Sequence, residues 1–308
     1  MIKKLVILFC LALSFQVGAL PLDAVRPAEI RIGMGPLGLP AHLKEGAKSI
    51  ARLLQEELGV PVSVYLAKNY SNLAKSVDEK KLDFVFLSAL SFVRLEKKAK
   101  IQVLLKHVWQ EPFYYSTLIA LKSSGIKNLA DLKGKKIAFV DKKSTSGYLY
   151  PKVWLKKNNI PDSYFAEIRF SSSHSESVNL LNKKEVDAIF VFADDPTGTR
   201  SAWSQFTVDP PKSPSSSATT VNSGVEALWV SDPIPNDPFC VRTEFYEKFP
   251  KTVHALMYSL IDAKEKLEGK KGVVDILSSK GFVPATSRQY DPIREMVKEL
   301  DLPAMEDL

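Results

Sequence analysis

The sequence predicts an α/β fold of two lobes, joined by two crossing strands, with a ligand cleft between the lobes. Strand-like and helix-like patterns alternate from residue 29 onward, which is typical of α/β architecture. The alternation starts again after a turn at residues 122–125. A strand-like stretch then follows the Pro- and Ser-rich segment 208–220 and can return the chain to the first lobe. A single larger sheet would fit the same periodicity.

The first set of elements begins with Ile30, Ile32 and Met34, which alternate as a strand and lead into the loop 35–38. Apolar residues at helical spacing predict a helix over 41–58. The predicted elements that follow are a strand at 60–66, a helix at 70–77, a strand at 84–87, a helix at 89–98 and a strand at 101–106.

The second set follows a strand-like stretch at 114–121. Its predicted elements are a strand at 137–140, a helix at 148–157, a strand at 165–170, a helix at 176–182 and a strand at 188–192. Pro151 falls in the first turn of its helix, where the missing N–H is tolerated. The last predicted elements are a strand at 227–230 and helices at 243–263, 272–279 and 287–300.

The crossings between the lobes are predicted near 117–122 and 222–230. We therefore assign residues 20–119 and 225–308 to lobe 1 and residues 120–224 to lobe 2. A cleft between two lobes is a common place for a ligand site.

Composition and charge exclude several classes of protein. The chain has 308 residues, of which 45% are hydrophobic and 25% charged, as in a globular protein. The formal net charge is +7, but the basic residues form no single block, and we find no nucleic-acid-reading motif. We therefore expect a solvated basic surface and no nucleic-acid partner.

The N-terminus predicts a signal peptide over residues 1–19. Lys3 and Lys4 precede an apolar stretch at 5–15 that is too short to span a bilayer, and Ala19 suits a cleavage site. We expect an exported, soluble protein of the periplasm. After cleavage Cys240 is the one cysteine left, so the sequence predicts no internal disulfide and a buried Cys240.

The most informative motif is the segment 138–148, which runs from a strand through a hydroxyl-rich turn into a helix. Three consecutive hydroxyls and Gly147 stand where the helix begins. The first N–H groups of a helix have no internal partner and carry positive potential, so such an end binds phosphate-like anions. Ser and Thr hydroxyls add further donors. An ordinary N-cap is the alternative interpretation, although a cap needs only one hydroxyl.

The segment STSGYLYP resembles a loop of the phosphate/phosphite/phosphonate-binding proteins of ABC transporters. Other segments resemble this family in the same order: Asn69-Tyr70 before Asp83-Phe84-Val85, Phe113 to Ser116, His174 before Val186-Asp187-Ala188, and Ser231 to Pro238. The resemblance covers the chain from about residue 29 to residue 300. It implies a type II periplasmic-binding-protein-like fold that closes on a small phosphorus oxyanion and delivers it to the permease subunits of a transporter.

The resemblance also implies which residues hold the oxyanion. The implied donors are Ser144, Thr145, Ser146, Gly147, Tyr70, Tyr114 and His174. The two tyrosines would also close the cleft. Strand alternation leaves open whether Tyr114 or Tyr115 reaches the ligand.

An acidic residue of the family accepts a hydrogen bond from a protonated ligand oxygen or from an amine. The candidates for this role are Glu176 and Asp195, with Asp194 as an alternative to the latter. Taken singly, His174 would be interpreted as a helix-capping or solvated residue.

Other functions remain open at this point. The protein could bind another small solute, or report it to a membrane receptor kinase. A Ser nucleophile would need a base, but the sequence has no G-x-S-x-G elbow and no metal-ligand spacing. We therefore predict no enzyme activity, no metal and no cofactor. An adhesin-like interaction through 208–220 is the third class. We expect a monomer.

Overall fold

The computed structural model of the protein describes residues 26–34, 40–67, 70–207, 224–263 and 280–302, without the side chains of 40–46, 70 and 71. The predicted signal peptide, the loop 35–38, the segment 208–220 and the predicted helix 272–279 lie outside these residues. None of the described helices is long and apolar enough to cross a membrane.

The first sheet has six strands. They are β1 (Ile30–Met34), β2 (Val62–Leu66), β3 (Phe84–Phe86), β4 (Ile101–Val108), β11 (Pro238–Arg242) and β12 (Gly281–Pro284), in the spatial order β12-β4-β11-β3-β1-β2. Strand β1 runs parallel to β2 and β3, whereas β11 runs antiparallel to β3 and β4. Cys240 lies in β11 with no exposed surface, as predicted.

The second sheet also has six strands. They are β5 (Phe113–Leu121), β6 (Lys136–Phe139), β7 (Glu167–Phe170), β8 (Ala188–Ala193), β9 (Val225–Val230) and β10 (Ile234–Pro235). The order is β10-β5-β8-β6-β7, and β9 also pairs with β5. Strand β6 runs parallel to β7 and β8, and β5 runs antiparallel to β8, β9 and β10.

Helices cover the sheets because each sheet buries apolar side chains on both faces. The helices are α1 (Pro40–Leu58), α2 (Tyr70–Asp78), α3 (Ala89–Leu95), α4 (Tyr150–Lys157), α5 (His174–Asn182), α6 (Ala202–Phe206), α7 (Thr243–Lys248), α8 (Pro250–Ile261) and α9 (Asp291–Glu299). On one face of the first sheet, α1 and α8 share a core with its strands. On the other face, α2, α3 and α9 form a core that also takes in Leu149, Tyr150 and Val153 from the second unit.

The chain changes sheet twice, between β4 and β5 and between β10 and β11. The predicted lobe boundaries, after residues 119 and 224, therefore fall within or next to strands of the second sheet. The reason is that β5 and β9 pair with each other along most of their length, so both belong to the second sheet. The division into two lobes that move against each other remains a prediction.

Asn236 holds the two connections together. Its side-chain nitrogen donates to the carbonyl oxygens of His107 and Glu111, at 3.0 and 2.8 Å. The backbone carbonyl of Asn236 accepts from the Tyr290 hydroxyl at 2.8 Å. The side chain of Asn236 is only 1% exposed, so these bonds are shielded from competing water.

The strand directions place several loops at the facing edges of the two sheets. The carboxyl ends of β6, β7 and β8 lie at one edge of the second sheet, beside the start of the antiparallel β5. The carboxyl ends of β1, β2 and β3 lie at one edge of the first sheet, beside the start of β11. Loops at the carboxyl ends of parallel strands are where α/β proteins bind ligands.

Candidate functional site

The hydroxyl-rich turn follows β6 and begins with a π-helical turn over Thr145–Leu149, before α4. Ser144 is its N-cap, and the Ser144 hydroxyl oxygen accepts from the Gly147 amide at 3.0 Å. The Ser144 carbonyl accepts from the amides of Tyr148 and Leu149, at 3.1 and 3.0 Å. The turn therefore has one hydroxyl acting as a cap, as the alternative interpretation of the sequence required, and two further hydroxyls beyond it.

Two amides of this turn remain available to a ligand. Within the described part of the chain, the N–H groups of Thr145 and Ser146 donate to no protein acceptor. They are the first two amides of the helical segment, where the helix offers no partner and the peptide dipoles attract negative charge. The hydroxyls of Ser144, Thr145 and Ser146 can add donors, because a capping oxygen still carries its own hydrogen.

Tyr114 comes from the start of β5 and meets this turn. Its phenol interacts with the hydroxyls of Thr145 and Ser146. Burial, followed by the charges of Asp237 and Tyr150, nevertheless raises the pKa of Tyr114 above its ordinary value. The phenol is thus a neutral donor at any physiological pH. The charges of Asp195 and Glu111 act on Tyr115 instead. Of the two neighbouring tyrosines, Tyr114 is therefore the one that interacts with the turn.

His174 is the first residue of α5 and follows the carboxyl end of β7, which is the neighbour of β6 in the sheet. The edge of its ring contacts Phe192 at 5.0 Å between ring centres. Burial lowers the pKa of His174 to about 4, so the imidazole is neutral at physiological pH. Its Nδ1 atom is buried and has no hydrogen-bond partner among the described residues.

The two acidic candidates from the sequence lie in different surroundings. Glu176 is exposed on α5, and its carboxylate accepts from the Asn179 side chain at 3.1 Å. Asp195 is only 8% exposed, and its oxygens accept from donors of its own loop, which belong to Thr197, Thr199 and Arg200. Burial is the largest single effect and raises the pKa of Asp195, but these hydrogen bonds together outweigh it, so the pKa lies below its ordinary value. In this conformation Asp195 organises the loop after β8.

Asp194, which the sequence offers as the alternative to Asp195, and Asp237, which it does not indicate, meet the description of the acidic ligand residue better. Asp194 directly follows β8 at the carboxyl edge of the second sheet, and its side chain accepts no hydrogen bond from the described residues. Burial is the first cause of its raised pKa. Asp237 directly precedes β11, and its Oδ1 accepts from the Ala89 amide at 3.3 Å. Burial raises the pKa of Asp237 to about 6. Its charge also acts on Tyr114.

Sequence reasoning missed Asp237 as a site residue although it quoted the segment Ser231 to Pro238. The crossings are predicted near 117–122 and 222–230, which do not include Asp237, so the sequence prediction contains no signal that places this residue near the cleft. Tyr70 begins α2, after β2, at the corresponding edge of the first sheet; its side chain lies outside the described residues.

The candidate site is thus rich in neutral donors. No lysine or arginine nitrogen of the described residues is hydrogen-bonded to the turn 144–147. No group of His, Cys, Asp and Glu in the described chain has the geometry to hold a metal ion. The arrangement can surround a small anion with amide, hydroxyl and phenol donors, and the half-buried Asp237 carboxyl acts on the Tyr114 phenol.

Three comparisons with known proteins bear on this site. Residues 32–290 match the family model described as "ABC transporter, phosphonate, periplasmic substrate-binding protein". The chain is 25% identical over 302 residues to the probable ABC transporter phosphite binding protein of Prochlorococcus marinus, covering 94% of this chain and 95% of that one. It is 28% identical over 250 residues to the phosphonates-binding periplasmic protein of Escherichia coli, covering 79% and 68% of the two chains.

A solved structure with a similar fold is that of the Prochlorococcus marinus protein in complex with methylphosphonate. The TM-score is 0.66 at 21% identity, and the match covers 90% of this chain and 99% of the other. At this identity the likeness shows the fold, and it confirms the predicted two-lobed, periplasmic-binding-protein-like architecture.

Proposed function

Because the chain belongs to the family of periplasmic substrate-binding proteins of phosphonate ABC transporters, we propose that it captures a small phosphorus oxyanion between its two sheets. Members of this family bind a solute for transport and are not enzymes. The ligand is a phosphonate, phosphite or phosphate, and the residues that hold it are those of the turn 144–147 together with Tyr114.

One observation carries this proposal. The amides of Thr145 and Ser146 are unpaired at a helix start, and three hydroxyls and the Tyr114 phenol surround them. A tetrahedral oxyanion can accept from all of these groups at once. Neutral donors also suit a protein that must release its ligand, because they hold an anion less rigidly than a bidentate arginine.

The two half-buried aspartates, Asp194 and Asp237, restrict the choice of oxyanion. A carboxylate beside a fully charged oxyanion would repel it, whereas a ligand with a protonated oxygen or an ammonium group would donate to the carboxylate. Asp194 and Asp237 therefore favour a hydrogenphosphonate, hydrogenphosphate or aminoalkylphosphonate. Glu176 and Asp195 are less suitable for this role, because one is exposed and the other accepts from its own loop.

Thermal unfolding against a ligand panel tests the proposal. The panel contains phosphate, phosphite, methylphosphonate, 2-aminoethylphosphonate, sulfate and a neutral sugar. At about 100 times its dissociation constant, the bound ligand should stabilise the protein by roughly 2.7 kcal/mol. We expect this rise in Tm with at least one phosphorus oxyanion, and its loss in Thr145→Val, which keeps the side-chain shape but removes the hydroxyl.

The control variant is Ser124→Ala, which removes an exposed hydroxyl that donates to Leu121 at 2.6 Å. It should keep the full ligand-induced rise in Tm. A rise with sulfate or with the sugar alone, or no rise with any compound, would contradict the assignment to phosphorus oxyanions.

The cellular setting follows from the family and from the N-terminus. The family is periplasmic, and we propose that residues 1–19 direct export and are removed. The loaded protein then docks as a monomer on the permease subunits of its transporter. Mass spectrometry of the protein recovered from the periplasm would identify the mature N-terminus.

A further inference from the structure

Pro151 removes a helical donor from two carbonyl groups of the anion-binding turn. In the π-helical turn, each carbonyl accepts from the amide five positions later. The Ser144 carbonyl accepts from the Leu149 amide, and the Thr145 carbonyl accepts from the Tyr150 amide. The corresponding partner of Ser146 would be residue 151, and the ordinary α-helical partner of Gly147 would also be residue 151. This residue is Pro151, which has no N–H.

Both carbonyls find donors outside the helix. The Gly147 carbonyl accepts from the Val140 amide at the end of β6, at 3.1 Å. The Ser146 carbonyl accepts from the Ser116 hydroxyl of β5, at 2.6 Å. Ser116 has no exposed surface and Ser146 is 3% exposed, so without Ser116 the Ser146 carbonyl would be a buried acceptor with no partner, which is costly.

Ser116 is itself held in place by the return segment of the chain. Its amide donates to the Ser231 hydroxyl, and its carbonyl accepts from the Ser231 amide, each at 2.9 Å. The hydroxyl of Ser116 is therefore carried on a fixed stretch of backbone and points at the turn. It links β5, the return segment and the anion-binding turn.

The peptide group between Ser146 and Gly147 is thus fixed at both ends. Its oxygen is bonded to Ser116 and its N–H to the Ser144 hydroxyl. If this peptide group rotated, the carbonyl oxygen would turn toward the start of the helix, where the amides of Thr145 and Ser146 are free. A carbonyl dipole in that position would repel an anion.

We propose that Ser116 is a positioning residue for ligand binding, which keeps the Ser146 carbonyl directed away from the oxyanion and the turn in its binding conformation. This role rests on the proposed function, because it assumes that the turn holds the ligand. Ser116 itself does not contact the ligand.

The test compares Ser116→Ala with Thr117→Val. Thr117 is the adjacent residue of β5, is also fully buried, and donates its hydroxyl to the Trp229 carbonyl at 2.9 Å, away from the turn. Both variants lose one buried hydrogen bond and should lower the Tm of the ligand-free protein. Calorimetric titration with methylphosphonate, phosphite and phosphate should show about a tenfold weaker affinity for Ser116→Ala and an unchanged affinity for Thr117→Val.

A double-variant cycle with Pro151→Ala gives a readout that a merely structural role would not change. Alanine restores an N–H at residue 151, which can donate to the turn. In the Pro151→Ala background, replacement of Ser116 by Ala should therefore weaken binding less than it does in the wild type. Equal losses in both backgrounds would overturn the proposal, as would an unchanged affinity in Ser116→Ala.

Amide hydrogen exchange separates this proposal from the proposed function. The Gly147 amide should exchange faster in Ser116→Ala than in wild type or Thr117→Val, and this measurement needs no ligand. If the wild type binds none of the three anions, the proposed function fails, and exchange at Gly147 alone decides whether Ser116 fixes the turn. Unchanged exchange would then overturn it.

Discussion

At the scale of single residues, Asp237 shows how burial changes the protonation of a side chain. Its carboxyl group accepts from the Ala89 amide and its charge acts on the Tyr114 phenol, and burial raises its pKa to about 6. In the unfolded chain an aspartate titrates near pH 3.9. The folded protein therefore binds this proton more tightly than the unfolded chain, so the stability contributed by Asp237 is lost as pH rises through about 6.

We expect Asp237→Asn to remove this pH dependence. The asparagine keeps an oxygen for the Ala89 amide but carries no charge. Because each pKa unit corresponds to about 1.4 kcal/mol, the ligand-free variant should be more stable than wild type by on the order of 3 kcal/mol at pH 8, with little difference at pH 4. Urea unfolding across this pH range measures the difference.

Asp232→Asn provides the comparison, because Asp232 lies in the same return segment but is exposed. Its stability should follow that of wild type at each pH. A constant difference between Asp237→Asn and wild type from pH 4 to pH 8 would show that Asp237 is not held at a raised pKa.

The sequence predicted the position of single residues where a local motif determines it. Ser144, Thr145, Ser146 and Gly147 lie at a helix start because strand, hydroxyls and helix are adjacent in the chain. Asp194 lies at the end of β8 in the second sheet, and Asp237 lies before β11 in the first sheet. Both strands pair with neighbours that are distant in sequence. Pairing of this kind is not visible in local spacing, so the sequence left Asp194 and Asp195 as alternatives and did not indicate Asp237.

At the scale of secondary-structure elements, the turn before α4 depends on its cap. Ser144 accepts from the third amide of the segment, which is the usual role of an N-cap. Ser201 is likewise the N-cap of α6, where its side chain accepts from the Trp203 amide at 3.2 Å. The two serines thus form a matched pair, one at the candidate site and one away from it.

Replacement of either serine by alanine should cost about 1 kcal/mol of stability, the typical value for a lost N-cap. Only Ser144→Ala should also weaken binding of the phosphorus oxyanion, because it removes both a donor and the restraint on the Gly147 amide. Chemical denaturation and calorimetric titration of both variants test this. An equal loss of affinity in Ser201→Ala would mean that global destabilisation, and not the cap, governs binding.

The alternation of strands and helices was predicted correctly through most of the chain, because long periodic segments carry their own signal. The structure adds β10, β11, β12 and α6, which span only 2, 5, 4 and 5 residues. Such short elements exist because of their tertiary partners. The helix predicted at 148–157 begins earlier, as a π-helical turn from Thr145, since the capping and pinning bonds come from Ser144 and β5.

At the scale of the whole molecule, α4 connects the two units. The candidate site lies in the π-helical turn directly before α4, and the last turn of α4 meets the C-terminal end of α9. The Lys156 ammonium donates to the Glu299 carbonyl at 2.5 Å, and Tyr150 and Val153 join the core under α9. If the lobes separate without ligand, as the sequence predicts, this contact should be made only in the closed form.

We expect Lys156→Met to weaken ligand affinity by about two- to fivefold, the effect of one exposed hydrogen bond on the closed population. The matched control is Lys152→Met, since Lys152 lies one turn earlier on α4 and pairs with Asp162 of the same unit at 2.6 Å. Small-angle scattering of the ligand-free variants reports the closed fraction. Identical affinity and scattering in both variants would mean that α9 does not restrain the lobes.

Pro151 has a consequence for the order of events during folding. The segment from Ser144 to Lys157 cannot complete its own backbone bonding, and its missing donor, Ser116, lies 30 residues earlier in the chain. An isolated peptide of this segment therefore lacks the hydrogen bond from Ser116 that fixes the anion-binding turn, even if the peptide is fully helical. Because the receptor is assembled only when β5 is in place, ligand should slow unfolding of the native protein without accelerating its refolding.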